Sequence, residues 1–215
     1  MQYAFNSQVQ DIGIFPCEYN DLDIKNEPMF FNSDYDFAMR AGGIITQGFL
    51  DALPRAWKND VVIDSRVHML MKGWFPCIPG FHHDDVPRGK NGQPDYDCPA
   101  YDAEHLAGLV NAEICPTLFA LGKHYLPKIE QGIVYKHWHP IVEEQLGMKV
   151  LEPYEVPSGH IILFDNQAMH TGQRAVKDGW RWFIRVSRNT DRVKHITNEI
   201  RRQVQVYLEF PMEGW

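Results

Sequence analysis

The chain has 215 residues, of which 44% are hydrophobic and 23% charged, and its formal net charge is −7. That balance is ordinary for a soluble globular protein, so disorder, collagen and coiled coil are excluded as descriptions of the whole chain. An acidic chain without a block of like charge is a poor partner for duplex nucleic acid, and no run approaches the roughly 18 apolar residues of a membrane span.

The opening MQYAFNSQVQDIGIF lacks a basic segment followed by an apolar one, so no signal peptide is expected. Cys17, Cys77, Cys98 and Cys115 form no CxxC pair. Scattered thiols of this kind point to a reduced, cytoplasmic setting and away from a zinc ribbon or a disulfide framework.

Residues 1–32 mix acidic and aromatic side chains without a clear period. Ser33 is the expected N-cap of a first helix running through Arg40 to Gly42-Gly43. Thr46 is the expected cap of a second, with Phe49, Leu50 and Leu53 on one face until Pro54 stops it. Residues 61–63 and 66–71 read as strands, with Arg66, His68 and Leu70 facing one way and Val67, Met69 and Met71 the other.

A turn-punctuated segment, 73–88, leads into 86–105, which is rich in Gly, Pro and Asp and has no hydrophobic period. A long structureless stretch inside a compact domain reads as a lid or binding loop. Strand material follows over 106–121, broken at Pro116, and again over 132–136. His139-Pro140 is the expected start of a short helix ending at Gly147. Residues 154–165 read as a turn and a buried strand, 180–187 as another strand, and 191–210 as a helix or a last strand pair.

This order predicts one domain that is mainly β with flanking helices. A helical or irregular region over 1–60 precedes a core over 61–190 and a C-terminal extension over 191–215. Many short strands with an edge problem favour a closed double-sheet jelly roll, with the N-terminal helices packed outside it.

The densest polar cluster is Gly80-Phe81-His82-His83-Asp84-Asp85. Residues two apart on a strand share a face, so His82 with Asp84 is one imidazole–carboxylate pair and His83 with Asp85 is the other. Two histidines and one carboxylate on one face of iron(II) leave positions open for further ligands. A second His must come from elsewhere, and His170 follows the buried apolar strand Ile161 to Phe164. Arg181 and Arg185, four apart on WRWFIRVS, share a face with Phe183 and Ser187. Two guanidiniums aimed into an aromatic interior call for an anion to receive them.

In order, PGFHHD, PSGHIILFDNQAMHTG and WRWFIR resemble the iron(II)/2-oxoglutarate-dependent oxygenases over roughly residues 61–190. The resemblance implies a double-stranded β-helix core with His82, Asp84 and His170 as ligands to iron(II). It implies 2-oxoglutarate and O2 as cosubstrates, and a basic residue for the far carboxylate of 2-oxoglutarate. Arg181 is expected in that role, with Arg185 deeper or toward the substrate. The phenylalanine before the first ligand favours His82 and Asp84 over His83 and Asp85.

The expected reaction is hydroxylation of an unactivated C–H bond in a small polar molecule, amino-acid-like or nucleobase-like. Arg88, Tyr96 and Tyr101 are candidate substrate contacts. A competing resemblance is to the cupins, through His137, His139 and Glu143. A metal-free jelly-roll binding module and an interaction protein with a decorative His/Asp cluster are the readings from other classes. Nothing in the sequence sets an oligomeric state.

Overall fold

The computed structural model describes all residues except 91, 100, 101 and 209–215. It is mainly β, with antiparallel pairing throughout. In chain order the strands are β1 (Gln2–Ser7), β2 (Val9–Ile14), β3 (Met29–Phe31), β4 (Val62–Leu70), β5 (Glu104–Val110), β6 (Thr117–Pro127), β7 (Glu152–Glu155), β8 (His160–Asp165), β9 (His170–Gly172), β10 (Gly179–Arg188) and β11 (Glu199–Arg201). The helices are α1 (Asp21–Asn26), α2 (Tyr35–Ala41), α3 (Ile44–Asp51) and α4 (Val134–Gly147). One sheet has the order β2-β8-β5-β10-β4; a second has β1-β6-β7 with β9 also on β6; β11 and β3 form a small third.

Period-two alternation sorts the core into layers. From β8 and β10, Ile162, Phe164 and Phe183 meet Phe119 of β6 between the two main sheets. On the opposite face of the five-stranded sheet, Ile161, Trp182, Ile184 and Val186 pack under Ile24, Phe30, Phe49 and Leu50, so α1 to α3 cover it. Gly108 of β5 lies so close to the Phe49 ring that a Cβ would sit 2.5 Å from it. Helix α4 covers the outer face of the four-stranded sheet through Tyr135, Trp138 and Val142, against Phe5, Ala120 and Leu126.

Several local expectations are corrected. The sheets begin at residue 2, where the sequence shows no clear period. A polar residue hides the alternation of β1: Ser7 is buried and accepts a hydrogen bond from the Met169 amide at 3.1 Å. A bulge between Asp11 and Gly13 breaks that of β2.

The cap of α2 is Asp34, which accepts from the Phe37 amide at 2.7 Å, while Ser33 bridges to Ile63. Helix α3 starts at Ile44, two residues before the expected cap Thr46, and is capped from outside. The buried Glu27 carboxylate accepts from the amides of Gly43 (3.0 Å), Ile45 (3.3 Å) and Thr46 (2.8 Å).

Residues 132–136 are not a strand. Val134 to Lys136 open α4, which runs through Pro140. Tyr135, Trp138 and Val142 recur at helical spacing, and the apolar cluster they fill outweighs the local strand propensity of Ile-Val-Tyr. The tail supplies a short 3-10 turn, Asp191–His195, and then β11.

Candidate metal centre

The residues around His82 run beside β9. The His82 amide donates to the His170 carbonyl at 2.9 Å, and the His170 amide donates back to the His82 carbonyl at 3.1 Å. Residues paired in this way project their side chains from one face, and the two imidazole centroids are 4.6 Å apart. Asp84 returns to the same face two residues later. Its Oδ2 lies 3.2 Å from His170 Nε2 and its Oδ1 lies 3.9 Å from His82 Nε2. One donor atom from each of the three residues falls within 4.8 Å of the others, the one such group among the described residues.

The tautomers follow from the partners. His82 Nδ1 is 2.9 Å from the Gly80 carbonyl and His170 Nδ1 is 2.9 Å from the Ala168 carbonyl. A carbonyl only accepts, so each Nδ1 carries a proton, and Nε2 is the atom each ring turns toward Asp84. Burial, with His170 alongside, pushes His82 down to about 3, which keeps it neutral at physiological pH. Burial alone would raise Asp84. Arg185, and after it His170 and His82, together outweigh that and hold the carboxyl well below the usual range. Two imidazoles and one carboxylate form a mixed N/O donor set that suits a divalent first-row metal.

Around Asp84 lies a charge cluster drawn from four parts of the chain. Arg185 pairs with Asp84 through Nη1, and its Nη2 lies 3.3 Å from Asp64 and 3.5 Å from Asp85. Arg192 reaches Asp64 at 2.6 Å and Asp85 at 3.2 Å. Three carboxylates against two guanidiniums leave one negative charge beside the imidazoles.

Asp85 therefore does not point away from the site, as strand alternation predicts. Its φ of +50° is in the left-handed region and turns it back toward the arginines. His83 does point away. It packs on Phe5 and Trp138, and its Nδ1 is 2.8 Å from the Tyr96 hydroxyl.

Arg181 and Arg185 line the same cavity of about 370 Å³ as the three donors, but in different states. Arg185 is engaged by aspartates. Arg181 is buried, with its Nε on the Cys115 carbonyl at 2.6 Å and its Nη2 on the Thr117 hydroxyl at 3.1 Å. No carboxylate among the described residues pairs with it, and burial lowers its pKa. The wall of the same cavity also includes Ala107, Phe119, Phe164 and Phe183.

Helix α4 braces this segment from behind. Tyr135 donates to the His83 carbonyl at 3.2 Å, and His139 Nδ1 accepts from the Phe81 amide at 3.3 Å while its ring stacks on Phe81. The cupin-like set is not assembled. His137 is exposed, and His139 turns its Nε2 to Glu143, 3.3 Å away, one turn on along the helix.

Of the candidate substrate contacts, exposed Arg88 lines a second cavity of about 550 Å³, which His82 and Asp84 also line. Tyr96 is instead part of the aromatic packing on His83, with its hydroxyl 3.0 Å from that of Tyr135. Tyr101 lies outside the described residues. The sequence reading missed Asp64, Arg192 and Tyr135, and it gave His139 the role of a cupin-like ligand where the structure makes it a brace on Phe81. Only Tyr135 carried a usable signal, the helical spacing it shares with Trp138 and Val142.

No family model matches this sequence, and no curated protein does. Among solved structures there are loose, partial likenesses. AviO1 from Streptomyces viridochromogenes is 14% identical, with a TM-score of 0.38 over 83% of this chain and 72% of that one. HygX from Streptomyces hygroscopicus, solved with nickel, 2-oxoglutarate and hygromycin B bound, is 13% identical, with a TM-score of 0.36 over 81% of this chain and 80% of that one. EvdMO1 is 14% identical, with a TM-score of 0.35 over 67% of this chain. The aligned region spans only 32% of EvdMO1. In the iron-bound HygX structure it spans 56%.

No helix is long and apolar enough to cross a membrane among the described residues.

Proposed function

We propose that this chain is a non-haem iron(II)- and 2-oxoglutarate-dependent dioxygenase that hydroxylates a small polar molecule. One juxtaposition carries the reading: a His82/Asp84/His170 donor set, with both imidazoles buried, in one cavity with a buried guanidinium, Arg181, that has no carboxylate partner among the described residues. A metal with open positions and an anion receptor in the same cavity suit a cosubstrate that is both a chelator and a carboxylate. The two antiparallel sheets packed face to face, with the donors at one end, fit the double-stranded β-helix plan.

The residues present fit the group. His82 and His170 would supply Nε2 and Asp84 a carboxylate oxygen. When bound, iron(II) with 2-oxoglutarate and O2 supplies oxidative decarboxylation to succinate and carbon dioxide, coupled to insertion of oxygen into a C–H bond.

The chain's own contributions are binding, orientation and exclusion of water. The Gly80 and Ala168 carbonyls fix the ring orientations, the role of outer partners at metal sites. Arg185 holds Asp84 in place. Arg181 receives the far carboxylate as a planar fork. Phe119, Phe164 and Phe183 keep the cavity between them largely apolar. The second cavity is polar, with Arg88, Asp102, Asn189, Thr190 and Asp191 along it, and it is the place for a hydrogen-bonding substrate.

The test is turnover without a known substrate. Purified chain given iron(II), 2-oxoglutarate and air is expected to release succinate slowly, and faster when a library of amino acids, nucleosides and polyhydroxylated metabolites contains its substrate. No succinate under any condition, with iron bound, counts against the assignment.

A further inference from the structure

Arg181 of β10 pairs directly across the sheet with His68 of β4. Cross-strand partners project from the same face, and both side chains line the cavity that holds the metal donors. Both are almost fully buried, at 2% exposure. Among the described residues the guanidinium is met by a carbonyl and a hydroxyl, with the Phe183 ring 5.6 Å away. Among the described residues neither ring nitrogen of His68 has a well-formed hydrogen-bond partner, the Pro76 backbone being the group that comes near. Burial, with Arg181 and then Arg66 alongside, pushes His68 down to about 3, so the ring is neutral and one nitrogen carries hydrogen.

An unmet donor beside an uncompensated charge is costly on its own, and such groups are rare in native interiors unless something uses them. Thr117 adds a third group: its oxygen accepts from Arg181, which leaves its hydroxyl hydrogen to donate.

We propose that His68 is a binding residue of the anion subsite at this end of the cavity, donating its ring N–H to the same carboxylate oxygens that Arg181 and Thr117 receive. The proposal deepens the dioxygenase reading and rests on it for the identity of the anion as the far carboxylate of 2-oxoglutarate. A neutral imidazole adds a directed donor without a second positive charge. The subsite is thereby matched to one carboxylate: Arg181 answers the charge, and His68 with Thr117 fixes its plane.

The test compares wild type, His68→Leu and His68→Gln, with Arg181→Gln as a reference. Affinity for 2-oxoglutarate is measured by calorimetry without oxygen on the manganese(II)-loaded chain. Metal affinity and the melting temperature of the ligand-free chain are measured in parallel. Loss of one hydrogen bond to a charged group predicts that His68→Leu binds 2-oxoglutarate about 10- to 100-fold more weakly. Metal affinity should be unchanged and the ligand-free melting temperature equal or higher, because an apolar side chain replaces an unmet polar one. His68→Gln, which keeps a donor, recovers part of the affinity, and it carries the comparison if the leucine variant does not fold.

Wild-type affinity in His68→Leu and His68→Gln overturns the proposal and leaves the dioxygenase reading standing. So does a drop in ligand-free melting temperature that accounts for the lost affinity, because that marks a packing role. If wild type ignores 2-oxoglutarate but binds succinate or phosphate with the same dependence on His68, the subsite stands and the dioxygenase reading falls. If wild type binds none of the three, both fall.

Discussion

Asp84 faces two partners at once: Arg185 Nη1 pairs with one carboxylate oxygen while the other lies 3.2 Å from His170 Nε2. The arginine that strand geometry places near a cosubstrate is thus committed to the metal carboxylate, and Arg181 is left as the anion receptor. Removing Arg185 takes the paired guanidinium from Asp84 and leaves Asp64 and Asp85 with Arg192. Breaking a buried ion pair from one side typically costs about 3–5 kcal/mol. Arg185→Met is expected to lose about that much in urea unfolding of the metal-free chain and to regain part of it with manganese(II). A loss below about 1 kcal/mol would mean that the cluster does not hold Asp84.

Arg181→Gln has a different expected signature. A charge-assisted contact of about 1.5–3 kcal/mol corresponds to roughly 10–150-fold in affinity. The apparent KM for 2-oxoglutarate should rise by that factor, with iron affinity nearly intact. Arg181→Lys should recover only part, because an ammonium lacks the planar fork. The same titration on Arg185→Gln separates the two roles: a larger 2-oxoglutarate defect there, with Arg181→Gln like wild type, would reverse them.

His83 tests the frame of the HHDD motif. Its ring packs among Phe5, Tyr96 and Trp138, behind the metal donors. His83→Ala should therefore keep metal stoichiometry while losing stability, by about 2–4 kcal/mol for a buried ring replaced by a void. Loss of metal with unchanged stability would shift the frame by one residue.

Acid sensitivity follows from the buried imidazoles. Burial lowers His68 to about 3 and His105 to about 4, and it also lowers His124. These values lie below the unfolded value near 6.5, so on acidification the unfolded chain takes up protons first. Stability is complete above about pH 6.5 and falls toward pH 4, by about 1.4 kcal/mol per pH unit for each such group at the lower end. Urea unfolding of the metal-free chain at pH 7, 6 and 5 measures the slope. His105→Gln should flatten it, and a stability independent of pH over this range would contradict the buried neutral state.

The donor set was legible because its signals are local. His82 and Asp84 are two apart, His170 follows its own apolar strand, and Arg181 and Arg185 alternate out of a strand of tryptophans. The jacket of helices over one sheet was legible for the same reason. What escaped depends on partners far apart in the chain. Glu27 caps α3 from 16 to 19 positions away, and Arg192 reaches Asp64 across 128. No short window carries such information. The reversed reading of 132–136 has another cause: Ile-Val-Tyr prefers a strand locally, and only the buried cluster under Tyr135 and Trp138 makes it helical. Asp85 escaped because one left-handed residue undoes strand alternation.

The central claim is that His82, Asp84 and His170 hold one iron(II) to which 2-oxoglutarate then binds. Its most direct test is an anaerobic titration of the purified chain with iron(II) and then 2-oxoglutarate, following metal by equilibrium dialysis and cosubstrate by calorimetry. One iron(II) per chain is predicted, then one 2-oxoglutarate only when iron is present. Both should be lost in His82→Ala, Asp84→Ala and His170→Ala and kept in His83→Ala. Iron binding that survives all three substitutions, or 2-oxoglutarate binding that ignores the metal, would contradict the account.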